Sequence, residues 1–162
     1  MKRTVQLLVL LSLISVPVFI GWGMDLGVRI GTQSPSLAIQ AEVDVTPTLS
    51  MGLFLEFPFE TIVDLSAFQT PSFTIGLTAK YRFTQFGPTF VPYLGMEAGF
   101  NLATTESPMS LGILAGARIY PVQNVYLFGE AVISILPLPD ATEWGNVGSW
   151  FKDLYLGIGF RI

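Results

Sequence analysis

The sequence contains neither cysteine nor histidine. Without cysteine there is no disulfide to staple a loop and no thiolate chemistry. Without histidine the commonest general base and metal ligand are missing. A serine nucleophile activated by histidine is therefore unavailable. Charge is scarce as well: 12% of the 162 residues are charged, against about 25% in an ordinary soluble domain. The net charge of −4 gives no support to nucleic-acid binding. Carboxylate pairs remain formally able to do acid–base work. Glu42 and Asp44, two apart on one strand face, read more simply as members of a structural salt-bridge network. Glu60, Asp64, Asp140 and Glu143 fall in loops without the spacing of a calcium loop. GIG at 157–159 has no helix after it to cradle a phosphate. No residue qualifies as catalytic, cofactor-binding or metal-ligating.

What the chain has in abundance is apolar side chains, 51% of the total, and their arrangement is informative. Residues 1–23 have the form of an export signal. Lys2 and Arg3 precede an apolar run from Val5 to Ile20, and Gly21-Trp22-Gly23 offers small residues for cleavage. The run is short for a membrane anchor and holds Pro17. Cleavage after Gly23 leaves a mature chain of residues 24–162, one domain by its length.

From Met24 onward the dominant period is two, the signature of strands with one apolar and one polar or small face. Eight strands are expected: Met24–Gly31, Leu37–Thr46, Ser50–Phe57, Ser72–Phe83, Phe90–Leu102, Met109–Tyr120, Val125–Ile133 and Asp153–Ile162. Connections after the second, fourth and sixth are tight, the last of them Pro121-Val122-Gln123-Asn124. The connections at 58–71 and 134–150 are long. Short turns at one end and longer loops at the other are the pattern of an outer-membrane barrel. Eight strands put both termini on the periplasmic side, the side of the short turns.

A soluble lipid-binding barrel also alternates, with its apolar face inward. Three observations favour lipid outside. Asp25, Glu42, Asp44, Glu56, Glu97, Glu130 and Asp153, with Arg29, Lys80, Arg82, Arg118 and Arg161, all fall on the polar face. Glu60, Asp64, Glu106, Asp140, Glu143 and Lys152 lie in loops or at their edges. The apolar face carries no charge, as a face toward hydrocarbon must. The apolar set, about forty residues, is too bulky for the inside of eight strands, which has room only for packed side chains. The glycine-rich polar set suits that interior. Phe73 and Phe83, and again Phe90 and Phe100, stand ten residues apart on one face. At barrel tilt that spacing is about 25 Å, the height of the apolar band with its two aromatic girdles.

The closing stretch DLYLGIGFRI alternates over ten residues and ends on an apolar residue in mid-pattern. It resembles the closing strand of the small eight-stranded bacterial outer-membrane β-barrel proteins, through Tyr155, Gly157, Phe160 and Ile162. Ile162 stands where that family more often has phenylalanine. The resemblance extends through signal, strand pattern and loop alternation. It implies an all-β, eight-stranded antiparallel up-and-down transmembrane β-barrel in the cell outer membrane. It also implies a monomer surrounded by outer-membrane lipid and inserted by the barrel-insertion machinery. Two roles fit such a chain. One is a structural or surface-interaction barrel acting through loops 58–71 and 134–150. The other is a passage for small hydrophobic molecules, met by Ile135, Leu136, Leu138 and Trp144 of the last loop. A soluble periplasmic lipid binder is the third alternative. Inside the barrel Phe54, Tyr93, Tyr126, Phe128 and Tyr155 are expected to fill the lumen, and Arg161 to meet Asp25 where the ends close.

Overall fold

A computed structural model describes residues 23–33, 35–59, 73–102, 109–136 and 151–162. The expected export signal up to residue 22 lies outside them. So do Glu60, Asp64, Glu106, Asp140, Glu143, Leu138, Trp144 and Ser72. The described chain forms eight strands: β1 (Met24–Gly31), β2 (Ser36–Asp44), β3 (Leu49–Pro58), β4 (Thr74–Arg82), β5 (Phe90–Asn101), β6 (Met109–Val122), β7 (Val125–Leu136) and β8 (Phe151–Arg161). Each pairs antiparallel with its neighbour in sequence, and β1 pairs with β8, so the sheet closes into an up-and-down barrel. Arg161 stands opposite Asp25 in that closing register. The connections β2–β3, β4–β5 and β6–β7 gather at one rim, here called the turn end; the other connections gather at the loop end.

The two faces segregate as period two requires. Leu77 and Leu156 on the outside are each 57% exposed, while Arg29 and Glu130 on the inside are 0% exposed. The outer surface is a continuous apolar belt including Leu26, Val28, Ile39, Leu53, Ile75, Leu94, Ile113, Leu127 and Ile158. No monomer keeps such a belt in water, where exposed apolar patches rarely exceed about 300–600 Å². This is the reverse of a soluble lipid-binding barrel, and it removes that alternative. Aromatic rings mark both rims. Phe57 and Phe73 pack 6.0 Å apart at the loop end, and Tyr81 and Phe83 5.3 Å apart at the turn end. Phe100 pairs beside Ile75 near the first pair, and Phe90 lies beside Ile119 near the second.

Where strand limits differ from the sequence pattern, bulges and turns explain it. β7 continues through Ser134, Ile135 and Leu136, which the pattern assigns to the last loop. Leu111 faces Leu136 and Gly112 faces Ser134, so Ile135 is the extra residue of a bulge and breaks the alternation without ending the strand. β6 likewise runs on to Val122, because Tyr120 and Pro121 stand against Tyr126 alone. A bulge is where proline's missing N–H is tolerated, and the turn itself shrinks to Gln123-Asn124. At the other end of β2 the strand stops at Asp44, since Val45 and Thr46 bond back to the Leu49 carbonyl across a tight turn.

Large inner side chains lie over glycines of the next strand. Phe54 faces Gly76, Tyr93 faces Gly116, Tyr126 faces Gly159 and Phe128 faces Gly157. A Cβ at any of these four glycines would run into the ring beside it. The inner glycines therefore do not leave gaps; each ring covers the backbone where a side chain is missing.

Two outcomes check this account. Leu77→Arg puts a charge in mid-belt and should cost about 2–4 kcal/mol of barrel stability, with little folded protein recovered from membranes. Thr78→Ser, one residue away on the inner face, should insert normally, and the opposite result would mean that the faces are inverted. Gly157→Ala should lower stability measured by urea unfolding in lipid by about 1–3 kcal/mol through overpacking against Phe128. Gly129→Ala should be tolerated, because a Cβ there meets Leu156 at 3.5 Å, an ordinary contact.

Candidate functional site

Among the described residues the lumen is where the fold concentrates polar chemistry. Alternation sends every second residue inward, and in these strands the inward set holds nearly all the charge. Among the described residues ten ion pairs join eleven side chains there into a single unbranched chain of alternating sign. It starts at the loop end with Lys152, whose Nζ is 2.7 Å from Glu97. Glu97 accepts from Arg29 at 3.2 Å, and Arg29 also donates to Glu130 at 2.9 Å. Glu130 pairs with Lys80, and Lys80 reaches Glu42 at 2.5 Å. Glu42 pairs with Arg118, which reaches Asp25 at 2.6 Å. Asp25 accepts from Arg161 at 2.9 Å, Arg161 reaches Asp44 at 3.1 Å, and Asp44 meets Arg82 at 2.5 Å at the turn end.

The aromatic rings line this chain. The Arg29 guanidinium lies 4.0 Å from the centre of the Tyr155 ring and 4.7 Å from that of Phe54. Arg118 lies over Tyr126 at 4.5 Å, and Lys80 over Tyr93 at 5.1 Å. Each of these three cations thus has carboxylates at its edge and a ring face beside it, which replaces part of the hydration it loses. The Tyr93 hydroxyl donates to Glu130 at 2.9 Å. Glu56, outside the chain, accepts from Ser36 at 2.5 Å and Tyr155 at 3.1 Å. Asp153 accepts from the backbone N–H groups of Thr32 and Gln33, each at 2.9 Å, and so ties the β1–β2 connection to β8. The expected fillers Phe54, Tyr93, Tyr126, Phe128 and Tyr155 are all buried.

Glu42 and Asp44 do not face each other as an acid–base pair. Glu42 is held by Lys80 and Arg118, and Asp44 by Arg82 and Arg161. Both are links of the structural chain. One member escapes the sequence pattern. Lys152 has the parity of an outward residue and reads as a loop-edge charge. In the structure it lies in β8 at a register shift, with Val132 opposite Asp153 and Ile133 opposite Phe151. The bulge re-aims its side chain toward Glu97. The only hint in the sequence is the run Phe151-Lys152-Asp153, in which two successive polar residues break the alternation. Among the described residues no group of three or more acidic side chains is placed to hold a metal ion.

At the turn end the lumen opens into a cavity of about 860 Å³. Asp44, Arg82, Arg161 and Tyr120 line it, with Pro47, Val91, Pro121 and Val122 among its apolar walls.

No family model and no curated protein matches the sequence. Solved structures do match the fold. A de novo designed transmembrane β-barrel superposes with a TM-score of 0.61 at 14% identity, over 86% of this chain and 95% of that one. The N-terminal β-barrel domain of Pseudomonas aeruginosa OprF gives 0.58 at 15% identity, over 86% and 96%. The Yersinia pestis outer membrane protein Ail gives 0.50 at 14%, over 86% and 97%. At such identities the likeness is one of fold. With its uncharged apolar belt and its two aromatic rims, the chain is a closed eight-stranded transmembrane β-barrel of the outer-membrane type, and the outer membrane is where it resides.

Proposed function

We propose that this protein is a structural or surface-interaction barrel of the outer membrane, with a closed lumen and its contacts to the outside made by the loop end. The observation that carries this reading is the unbranched chain of ten ion pairs running from rim to rim between packed rings. A through-going aqueous path would have to part several buried pairs at once. Stripping one partner from a single buried pair already costs about 3–5 kcal/mol. The same pairing argues against catalysis in the lumen, because each carboxylate of the chain is occupied by cations. The export signal at residues 1–23 is removed on this reading, both termini face the periplasm, and the barrel-insertion machinery assembles a monomer.

Loops suited to greet hydrophobic molecules were one sequence-based expectation. Ile135 and Leu136 instead belong to β7, with Leu136 exposed on the barrel wall. That location fits contact with lipid, and it leaves the surface role as the better-supported reading.

Cell fractionation should recover the protein in outer membranes, resistant to extraction without detergent. The detergent-solubilised barrel should run faster on a gel unheated than boiled, because every strand is paired in the closed sheet. Recovery from the soluble periplasm would overturn the membrane reading. Purified monomer in a planar bilayer should show little or no steady conductance. Large, stable, voltage-insensitive channels would show that the lumen is not closed and would make solute passage the leading function. Deleting residues 137–150, with the barrel retained, should abolish surface binding and keep the mobility difference between unheated and boiled samples.

A further inference from the structure

The charge chain ends in a base at each rim. Its eleven members are six bases (Lys152, Arg29, Lys80, Arg118, Arg161, Arg82) and five acids (Glu97, Glu130, Glu42, Asp25, Asp44). An alternating chain with one base in excess must end in a base at both rims. At the turn end that base is Arg82. Its only acidic partner among the described residues is Asp44, and Asp44 is shared with Arg161. Arg82 is 4% exposed, and its Nε and Nη2 have no hydrogen-bond partner among the described residues. Nη2 lies 2.5 Å from Asp44 Oδ1 as an ion pair outside hydrogen-bond alignment, and that oxygen has no hydrogen-bond partner of its own. A guanidinium presents a planar fork of donors that matches an oxyanion. Here Arg82, buried and sharing its one carboxylate with Arg161, stands at the wall of a cavity of about 860 Å³ that Arg161 also lines.

We infer that the turn-end cavity is an anion site in which Arg82 and Arg161 together take the phosphate or carboxylate group of a small organic anion. The two arginines already reach one carboxylate, so a second oxyanion beside Asp44 restores one acceptor per cation. Tyr120, also at the cavity wall, carries a hydroxyl able to donate. Pro47, Val91 and Pro121 give the cavity an apolar side, so an anion carrying a short hydrocarbon part fits better than a bare ion. A lipid headgroup phosphate at the rim of the bilayer and a soluble organic phosphate share this chemistry. The site is defined by the purified barrel alone, whichever way it faces across the membrane.

The test is calorimetric titration of the folded protein in an uncharged maltoside detergent. The probes are glycerol phosphate and short-chain phosphatidylglycerol, with choline chloride at matched ionic strength as the control. Saturable binding of either phosphate over the control is expected. Binding of both points to a soluble anion, and binding of the lipid alone to a headgroup. Arg82→Gln should weaken binding about tenfold or more, the loss expected for a hydrogen bond between charged groups. Asp44→Asn removes the competing acid and should tighten binding several-fold. It reads the same site if Arg82→Gln fails to fold. No saturable heat with either phosphate, or affinities unchanged by Asp44→Asn, would overturn the inference.

Discussion

In hydrocarbon a backbone N–H or C=O has no water to turn to, and each unpaired group costs several kcal/mol. The pairing of β1 with β8 meets this constraint, and the rest of the molecule depends on it. Seven residues of each strand face one another across the seam, from Asp25 opposite Arg161 to Gly31 opposite Tyr155. With that seam closed no strand edge remains. The outer face can then be wholly apolar, and the inner face is committed to a narrow space of fixed size.

That narrowness dictates the interior chemistry. Eight strands leave room for side chains and little else, yet alternation sends twelve or more polar and charged groups inward. A buried charge without a partner is prohibitive, and a buried pair repays its desolvation only with good geometry and further polar contacts. The chain from Lys152 to Arg82 meets both conditions by giving every internal member two neighbours of opposite sign. The rings of Tyr155, Phe54, Tyr126 and Tyr93 flank the three central cations, Arg29, Lys80 and Arg118. The glycines that receive those rings are as necessary as the rings, because a Cβ at Gly157 or Gly159 would push the closing strand off β7. Barrel closure, charge pairing and ring packing thus stand or fall together. At the turn end the pairing runs short, and there the lumen widens into a cavity.

Much of this was legible in the sequence, for a reason peculiar to thin barrels. A single sheet between lipid and a filled lumen forces each residue to one of two environments, so period two reads out directly. The order and number of strands follow, as do the side taken by every strand charge except Lys152, the inward aromatics from Phe54 to Tyr155, the rings at both rims, and the meeting of Arg161 with Asp25. Composition alone, poor in charge and without histidine or cysteine, set aside histidine- and thiol-based chemistry.

Three things had to await the tertiary structure, and each turns on a contact between strands. Bulges at Ile135, Pro121 and Lys152 shift the register by a residue. Period two cannot announce them, because whether a residue is extra depends on what stands opposite it. Lys152 joins the lumen for that reason, although its parity puts it outside. The linking of the charges into one chain, with Asp44 shared between Arg82 and Arg161, also lay beyond the sequence. The sequence lists which charges face inward, but the stagger of eight strands around the barrel decides which of them come within 4 Å. The pairing of each ring with a particular glycine was fixed in the same way, since it depends on which two positions the register sets side by side.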